Sequence, residues 1–230
     1  GTARLFGFNL KQNFAFPYFS RNMNEMWNRW HISLTNWFRD YIYFPLGGSR
    51  KGTWRRVRNT VIVFVVSGLW HGANWTFLTW GITHAILLLS VYFFSGKKQY
   101  STGVVAENSI FPSLKEILLM GRTMIIWVLV TIFFLAESMT QAFGFFKGIF
   151  SKSLLSNPHL TVAEAIDKKI LFVLILFCFI IEWRGRRDQH ALEYFANGWP
   201  KFLSWLLYIA IIILSLMFFG QEQQFIYFQF

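Results

Sequence analysis

The sequence predicts an all-α, polytopic membrane protein, with an amphipathic helix ahead of its transmembrane spans. Of its 230 residues, 54% are hydrophobic and 20% aromatic while only 14% are charged, a balance too apolar for an ordinary soluble domain of that size. Several apolar runs approach the roughly 20 residues that a bilayer-spanning helix requires. Lysine and arginine gather in short clusters between those runs, which is the pattern of loops facing the cytoplasm in a multi-pass protein of the cytoplasmic (inner) membrane.

The formal net charge of +11 therefore reads as membrane orientation and contact with anionic lipid. A nucleic-acid face would need a basic stripe on a soluble surface, interleaved with exposed aromatics, so nucleic acid is not an expected partner. The single cysteine, Cys178, can form neither an internal disulfide nor a thiolate cluster, and inside its apolar run it is expected to be a small buried hydrophobe. The start of the chain is mixed and charged rather than signal-like, so membrane insertion is expected to rest on later spans or on segments upstream of Gly1.

From Leu5 to Phe19 the chain is irregular and aromatic, Pro17 stops any regular helix, and Ser20 or Asn22 then offers a cap. Over 22–43, Met23, Met26, Trp27, Trp30, Leu34, Trp37, Phe38 and Tyr41 recur at three- and four-residue spacing, with Asn24, Asn28, His31, Thr35 and Arg39 on the opposite edge. That is an amphipathic helix, too polar to cross lipid unaided. Pro45-Leu-Gly-Gly48 turns the chain into a basic loop with Arg50, Lys51, Arg55, Arg56 and Arg58, assigned to the cytoplasm. Candidate spans follow over 61–75, 75–94, 117–136, 170–183 and 202–219, the first short enough to be tilted or re-entrant. If that run crosses, Lys97-Lys98 and the Arg184 to Arg187 cluster fall inside, and Glu137 to Lys169 falls outside despite its lysines. Without an internal repeat or low-complexity linker, 1–230 is expected to form one domain of packed helices.

His31, on the polar edge of the amphipathic helix, and His71, inside Ser67-Gly-Leu-Trp-His-Gly-Ala-Asn-Trp75, are the candidates for chemistry. An ionisable side chain at membrane depth is expensive to desolvate and is by default a functional candidate. A neutral imidazole there can accept a proton from an attacking hydroxyl, the task of a general base. Gly68 and Gly72 would let another backbone or a thin acyl chain approach. The residues alone leave a second reading open, in which His71 hydrogen-bonds a carbonyl freed at a helix break and Trp70 and Trp75 anchor the interface. For His31 a solvated or structural role on a polar helix edge is the stronger alternative, and His84, His159 and His190 read as structural or solvated. The chain lacks HExxH, CxxC, GxSxG and phosphate-cradling glycine motifs, and two histidines without cysteine or carboxylate partners make a poor metal site, so no metal is expected. Asp40 reads as a local ion-pair partner of Arg39. The basic loop would also attract a phosphate-rich donor.

The stretches Met26-Trp-Asn-Arg-Trp-His-Ile-Ser-Leu34, Trp37-Phe-Arg-Asp-Tyr41, Pro45-Leu-Gly-Gly-Ser-Arg-Lys-Gly52 and Ser67 to Trp75 closely resemble the membrane-bound O-acyltransferase family, specifically its alginate O-acetyltransferase type. The opening Gly1 to Phe8 and the ending Phe225 to Phe230 resemble it too, although Met26 stands where that type usually has an aromatic. The resemblance implies the C-terminal portion of a many-helix membrane fold with a tunnel, with further helices upstream of Gly1. It implies His71 as the catalytic residue and His31 as its companion, and puts Trp27, Asn28, Trp30, Trp70 and Asn74 in contact with substrate. The implied reaction moves an acetyl group from a cytoplasmic acyl donor such as acetyl-CoA, a cosubstrate rather than a bound cofactor, toward hydroxyls of an exported polysaccharide such as alginate. An extracytoplasmic partner acetyltransferase would complete the delivery. The rival readings are D-alanyl transfer to a cell-envelope polymer, against which the Pro-Leu-Gly-Gly block counts, and a non-catalytic channel or scaffold.

The charge pattern sets a topology test: a cysteine introduced at Arg55 should resist a membrane-impermeant thiol reagent added outside intact cells. Ready labelling from outside would reverse the assigned orientation.

Overall fold

The computed structural model describes residues 2–50, 52–95, 103–152 and 162–217, and among these the regular structure is helical, without strands. Lys51, Lys97, Lys98, His159, the chain ends at Gly1 and 225–230, and positions 218–219 of the last expected span lie outside the described residues. Contacts divide the chain into two compact units, Gly1–Leu160 and Thr161–Phe230.

The first unit opens with a short helix, α1 (Thr2–Leu5), and a 3₁₀ turn at Pro17–Phe19. Asn22 caps the next helix, its Oδ1 accepting from Glu25 N at 2.9 Å. The single amphipathic helix expected over 22–43 is instead broken. It becomes α2 (Met23–Arg29), α3 (Ile32–Phe38) and a π turn at Arg39–Tyr43. Trp30 is extended (φ −105°, ψ 128°) and His31 is left-handed (φ 45°, ψ 53°). The physical reason lies upstream: Ile32 N donates to Asn13 O at 2.9 Å, and Ser33 N and Oγ donate to Asn13 Oδ1 at 3.0 and 2.9 Å. Ala15 N also donates to Arg29 O at 2.9 Å. A remote segment thus satisfies the backbone groups that the break exposes.

The second correction concerns the basic loop. α4 runs from Thr53 to His71, so Arg55, Arg56 and Arg58 stand in its first turns rather than in a loop, and the expected span at 61–75 joins its C-terminal part to the break that precedes Trp75. Three basic side chains oppose the dipole of a helix N-terminus. Specific partners offset that repulsion: Arg58 Nη2 and Asn59 Nδ2 donate to Leu46 O at 3.1 and 3.2 Å, Asn59 Nδ2 reaches Gly48 O at 3.0 Å, and the Arg56 guanidinium lies 4.2 Å above the Tyr92 ring.

α5 (Trp75–Ser95) and α6 (Leu114–Leu135) are long and apolar enough to cross a bilayer. The 20 residues from Trp75 to Phe94 reach about 30 Å at the α-helical rise, which matches a hydrocarbon core. Both helices expose large apolar side chains, among them Ile86, Ile125, Val128 and Leu135. Such surface suits lipid as the solvent. α4 and α5 form a hairpin in which Gly68 lies against the backbone of Phe77, and Gly81 against the carbonyl of Phe64. α2 packs on α6 through Met23, Met26 and Trp127, all buried. Beside that core, Glu25 is 3% exposed and accepts from Arg21 at 3.0 Å and from Arg29 at 2.6 Å, while both guanidiniums also donate to Gly103 O. Arg21 reaches on to Glu116 at 3.5 Å, and Glu116 in turn completes the capping box of α6 with Ser113. α7 (Met139–Ile149) closes this unit, capped by Ser138.

The second unit contains α8 (Val162–Gly185) and α9 (Lys201–Met217), overlapping the spans expected at 170–183 and 202–219. Cys178 on α8 is exposed, not buried as expected, because the apolar run around it presents most of its side chains outward. Between the helices the Arg186 guanidinium covers the Trp183 ring at 4.0 Å.

The hairpin contact predicts a contrast between two glycines. Gly81→Ala drives a methyl group into the Phe64 carbonyl and should cost about 1–3 kcal/mol, whereas Gly121→Ala, with nothing within 4 Å of the new atom, should be neutral or stabilising. Thermal unfolding of the detergent-extracted protein reads the difference, and equal midpoints for the two variants would contradict the close crossing.

Candidate active site

Two interruptions of helical structure place the two candidate histidines. α4 ends at His71 because Gly72 adopts φ 151°, ψ 152°, a backbone conformation that glycine accepts without strain. Asn74 then restarts the chain: its Oδ1 accepts from Thr76 N at 3.2 Å at the head of α5, and its Nδ2 donates to Glu137 O, between α6 and α7, at 3.0 Å. His71 is left at the hairpin apex in a sleeve of rings. Trp70, Phe134 and Trp80 stand edge-on to it, with centroids at 4.8, 4.8 and 5.4 Å, and Phe77 lies at 6.1 Å.

His31 occupies the break between α2 and α3, and packs beside Phe14 at 5.9 Å. Its Nδ1 is buried and has no hydrogen-bond partner among the described residues. The two imidazoles lie within electrostatic reach of one another, although 40 positions separate them in sequence. The structure therefore brings His31 and His71 into one neighbourhood.

The other expected site residues divide. Trp27 and Asn28 line a cavity of about 300 Å³ between the α2–α3 segment and the α4–α5 hairpin, together with Thr35, Arg39, Arg56 and Ser67. Trp30 faces the protein core, edge-on to Phe14 at 5.0 Å and beside Trp127 at 5.0 Å. Trp70 is 47% exposed and touches both His71 and Phe38. Asn74 is engaged as a cap and as a tie to the segment between α6 and α7. Asp40 pairs with Arg39 at 2.9 Å as expected, and that hydrogen bond holds its carboxyl below the usual carboxylate range, the wrong direction for a general acid.

His84, read from the sequence as structural or solvated, is not solvated but the most enclosed of the three histidines near the site. It is fully buried on α5, with Trp80, Trp27 and Trp127 at 4.8, 5.0 and 5.1 Å and Phe64 at 6.2 Å. Trp27 Nε1 donates to its Nδ1 at 3.3 Å, and its Nε2 is buried without a partner among the described residues.

Apolar helices that expose their side chains, packed around a buried His84 and half-buried His31 and His71, suit a membrane-embedded helical protein. The chain belongs to the membrane-bound O-acyltransferase (MBOAT) family, whose sequence model matches residues 3–136. It is 32% identical over 201 residues to the protein named "Probable alginate O-acetylase AlgI" of Azotobacter vinelandii, covering 87% of this chain and 37% of that protein. The protein of the same name in Pseudomonas aeruginosa is 36% identical over 182 residues, covering 77% of this chain and 33% of its own. The peptidoglycan O-acetyltransferase of Helicobacter pylori is 29% identical over 246 residues, covering 100% of this chain and 45% of that protein. The chain thus spans about a third to a half of the length of these curated relatives.

The left-handed backbone at His31 predicts an ordering of substitutions. His31→Asn should leave stability nearly unchanged, because asparagine tolerates that conformation, while the β-branched His31→Val should cost about 1–2 kcal/mol more. Thermal midpoints of the extracted variants check the order, and a valine variant as stable as the asparagine one would contradict it.

Proposed function

We propose that the protein is an O-acyltransferase of the cytoplasmic membrane, multi-pass, that moves an acetyl group from a cytoplasmic donor toward hydroxyls of an exported polysaccharide such as alginate. Acetyl-CoA, or another acyl donor, is the cosubstrate, and an extracytoplasmic partner acetyltransferase is the onward carrier. The observation that carries this reading is His71 in its sleeve of rings at one helix interruption, with His31 at a second interruption within electrostatic reach of it. In the proposed step the His71 imidazole takes the proton of the attacking hydroxyl as its oxygen bonds to the acyl carbonyl carbon. The bond from that carbon to the donor's leaving atom then breaks, and the proton passes to the leaving group. With a thioester donor the leaving atom is sulfur and the product a thiol. His31 assists by holding a polar partner at the same site.

Support for donor binding comes from the neighbouring cavity, whose wall combines the apolar Val63, Phe64 and Leu88 with Arg39 and Arg56. Such a mixture suits a chain with an apolar acyl end and an anionic body. The acetyl assignment draws on relatives named for O-acetylation that match over most of this chain.

The test is His71→Gln in cells making the whole protein. Glutamine is similar in size and keeps hydrogen-bonding groups, but its amide does not accept a proton near neutral pH. Acetyl content of the exopolysaccharide, normalised to membrane protein that stays monodisperse in detergent, should fall by about 10²- to 10⁴-fold. His31→Asn, which keeps the backbone break, should lower acetylation as well. Parental acetylation by a well-folded His71→Gln protein would end the general-base reading and favour a channel or scaffold.

A further inference from the structure

Burying an imidazole at position 84 is costly when one of its nitrogens finds no partner, since an unpaired polar group loses its hydration for nothing. A leucine would fill an aromatic-walled site on α5 without that cost. Packing alone therefore does not account for the histidine, whereas its hydrogen bond does. By accepting from Trp27 Nε1, Nδ1 must be the unprotonated nitrogen, which puts the proton on Nε2.

The bond matters because of where Trp27 stands. Its indole forms part of the cavity wall, and the same ring packs edge-on to Phe64, another wall residue, at 5.1 Å. On α5, Trp80, His84 and Leu88 follow one another at four-residue spacing and share a face. Trp80 touches His71, Leu88 lines the cavity, and His84 lies between them and touches both Trp27 and Trp80. A connected cluster of rings joined at one imidazole thus runs from the cavity lining at Trp27 and Phe64 to Trp80 beside His71.

We propose that His84 is a positioning residue for the acyl transfer proposed above: it fixes the Trp27 indole in the cavity lining, within the ring cluster that reaches His71. It touches no reacting atom in this role and acts through Trp27. The inference rests on the acyltransferase reading, but its structural half can be read without activity.

Hydrogen exchange of indole N–H groups in the whole protein, labelled with isotopic tryptophan and held in detergent, tests the tie directly. The Trp27 signal, identified by its loss in Trp27→Phe, should exchange far more slowly than that of Trp54, which is 77% exposed. It should speed up in His84→Leu and stay slow in His84→Asn, whose Oδ1 can stand in for Nδ1. Exchange of Trp27 as fast as that of Trp54 in the parent overturns the proposal without any variant at position 84.

Transfer of label from radiolabelled acetyl-CoA to polysaccharide in membranes supplies the second readout. His84→Leu should lose about tenfold, the scale of one hydrogen bond, His84→Asn should recover most of the loss, and His84→Leu with Trp27→Phe should be no worse than Trp27→Phe alone. Losses that multiply in the double variant, equal impairment by leucine and asparagine, or parental activity in His84→Leu would each overturn it. If His71→Gln is inactive while these results go the wrong way, only the role of His84 falls. If His71→Gln is fully active, the acyl-transfer reading falls, and the exchange rates still report whether the tie exists.

Discussion

Because Gly68 and Gly81 carry no side chains, α4 and α5 approach until each glycine meets the other helix's backbone, at Phe77 and at Phe64 respectively. No hydrophobic effect draws helices together inside lipid, so close packing between small residues is one of the few forces available there. Everything at the site depends on that crossing. It sets the level at which His71 leaves α4, brings Phe77 and Trp80 against the imidazole, and lets Trp27 from α2 reach both Phe64 and His84 across the hairpin. A wider crossing would separate rings that now touch.

The breaks that expose the histidines need compensation, because a freed backbone group in an apolar surround is costly. Asn13 supplies it at the α2–α3 break, Asn74 at the head of α5, and Asn22 at the start of α2. Each asparagine uses a short amide side chain to do what the next helical turn would otherwise have done. The Arg21–Glu25–Arg29 cluster works at longer range, joining α2 to the Gly103 carbonyl and, through Glu116, to the capping box of α6. A carboxylate 3% exposed is tolerable only between two guanidiniums that also find other acceptors.

Legibility followed the range of each signal. The apolar runs of α5 and α6 and the cap at Asn22 are local patterns, and the structure has helices and a cap where they indicate. The break at Trp30–His31 was hidden because apolar spacing runs straight through it, and its cause, Asn13, lies outside the periodic segment. The basic cluster read as a loop because repulsion at a helix N-terminus is a local argument, whereas its compensation by Leu46, Gly48 and Tyr92 is tertiary. Of the site, the Trp-His pairs at 30–31 and 70–71 were visible as motifs. His84 was not, because its meaning lies in a ring from α2 and another from α6 that no spacing along α5 reveals.

The abundance of aromatic residues finds its explanation in the same constraint. A polar network dense enough to satisfy every nitrogen of His31 and His84 would also commit those nitrogens to the fold. Rings packed against an imidazole exclude water and fix its plane without satisfying every nitrogen, and at His84 Nδ1 alone is engaged among the described residues, by Trp27 Nε1. The molecule separates the two tasks in space. Charged groups that hold the structure are gathered at Glu25 and its arginines, whereas His71 and His84 are held mostly by Trp27, Trp80, Trp127, Phe64 and Phe134. Ring packing and one hydrogen bond, rather than charge, position His84, and Nδ1 of His31 and Nε2 of His84 stay uncommitted among the described residues in a surround where proton acceptors and donors are scarce.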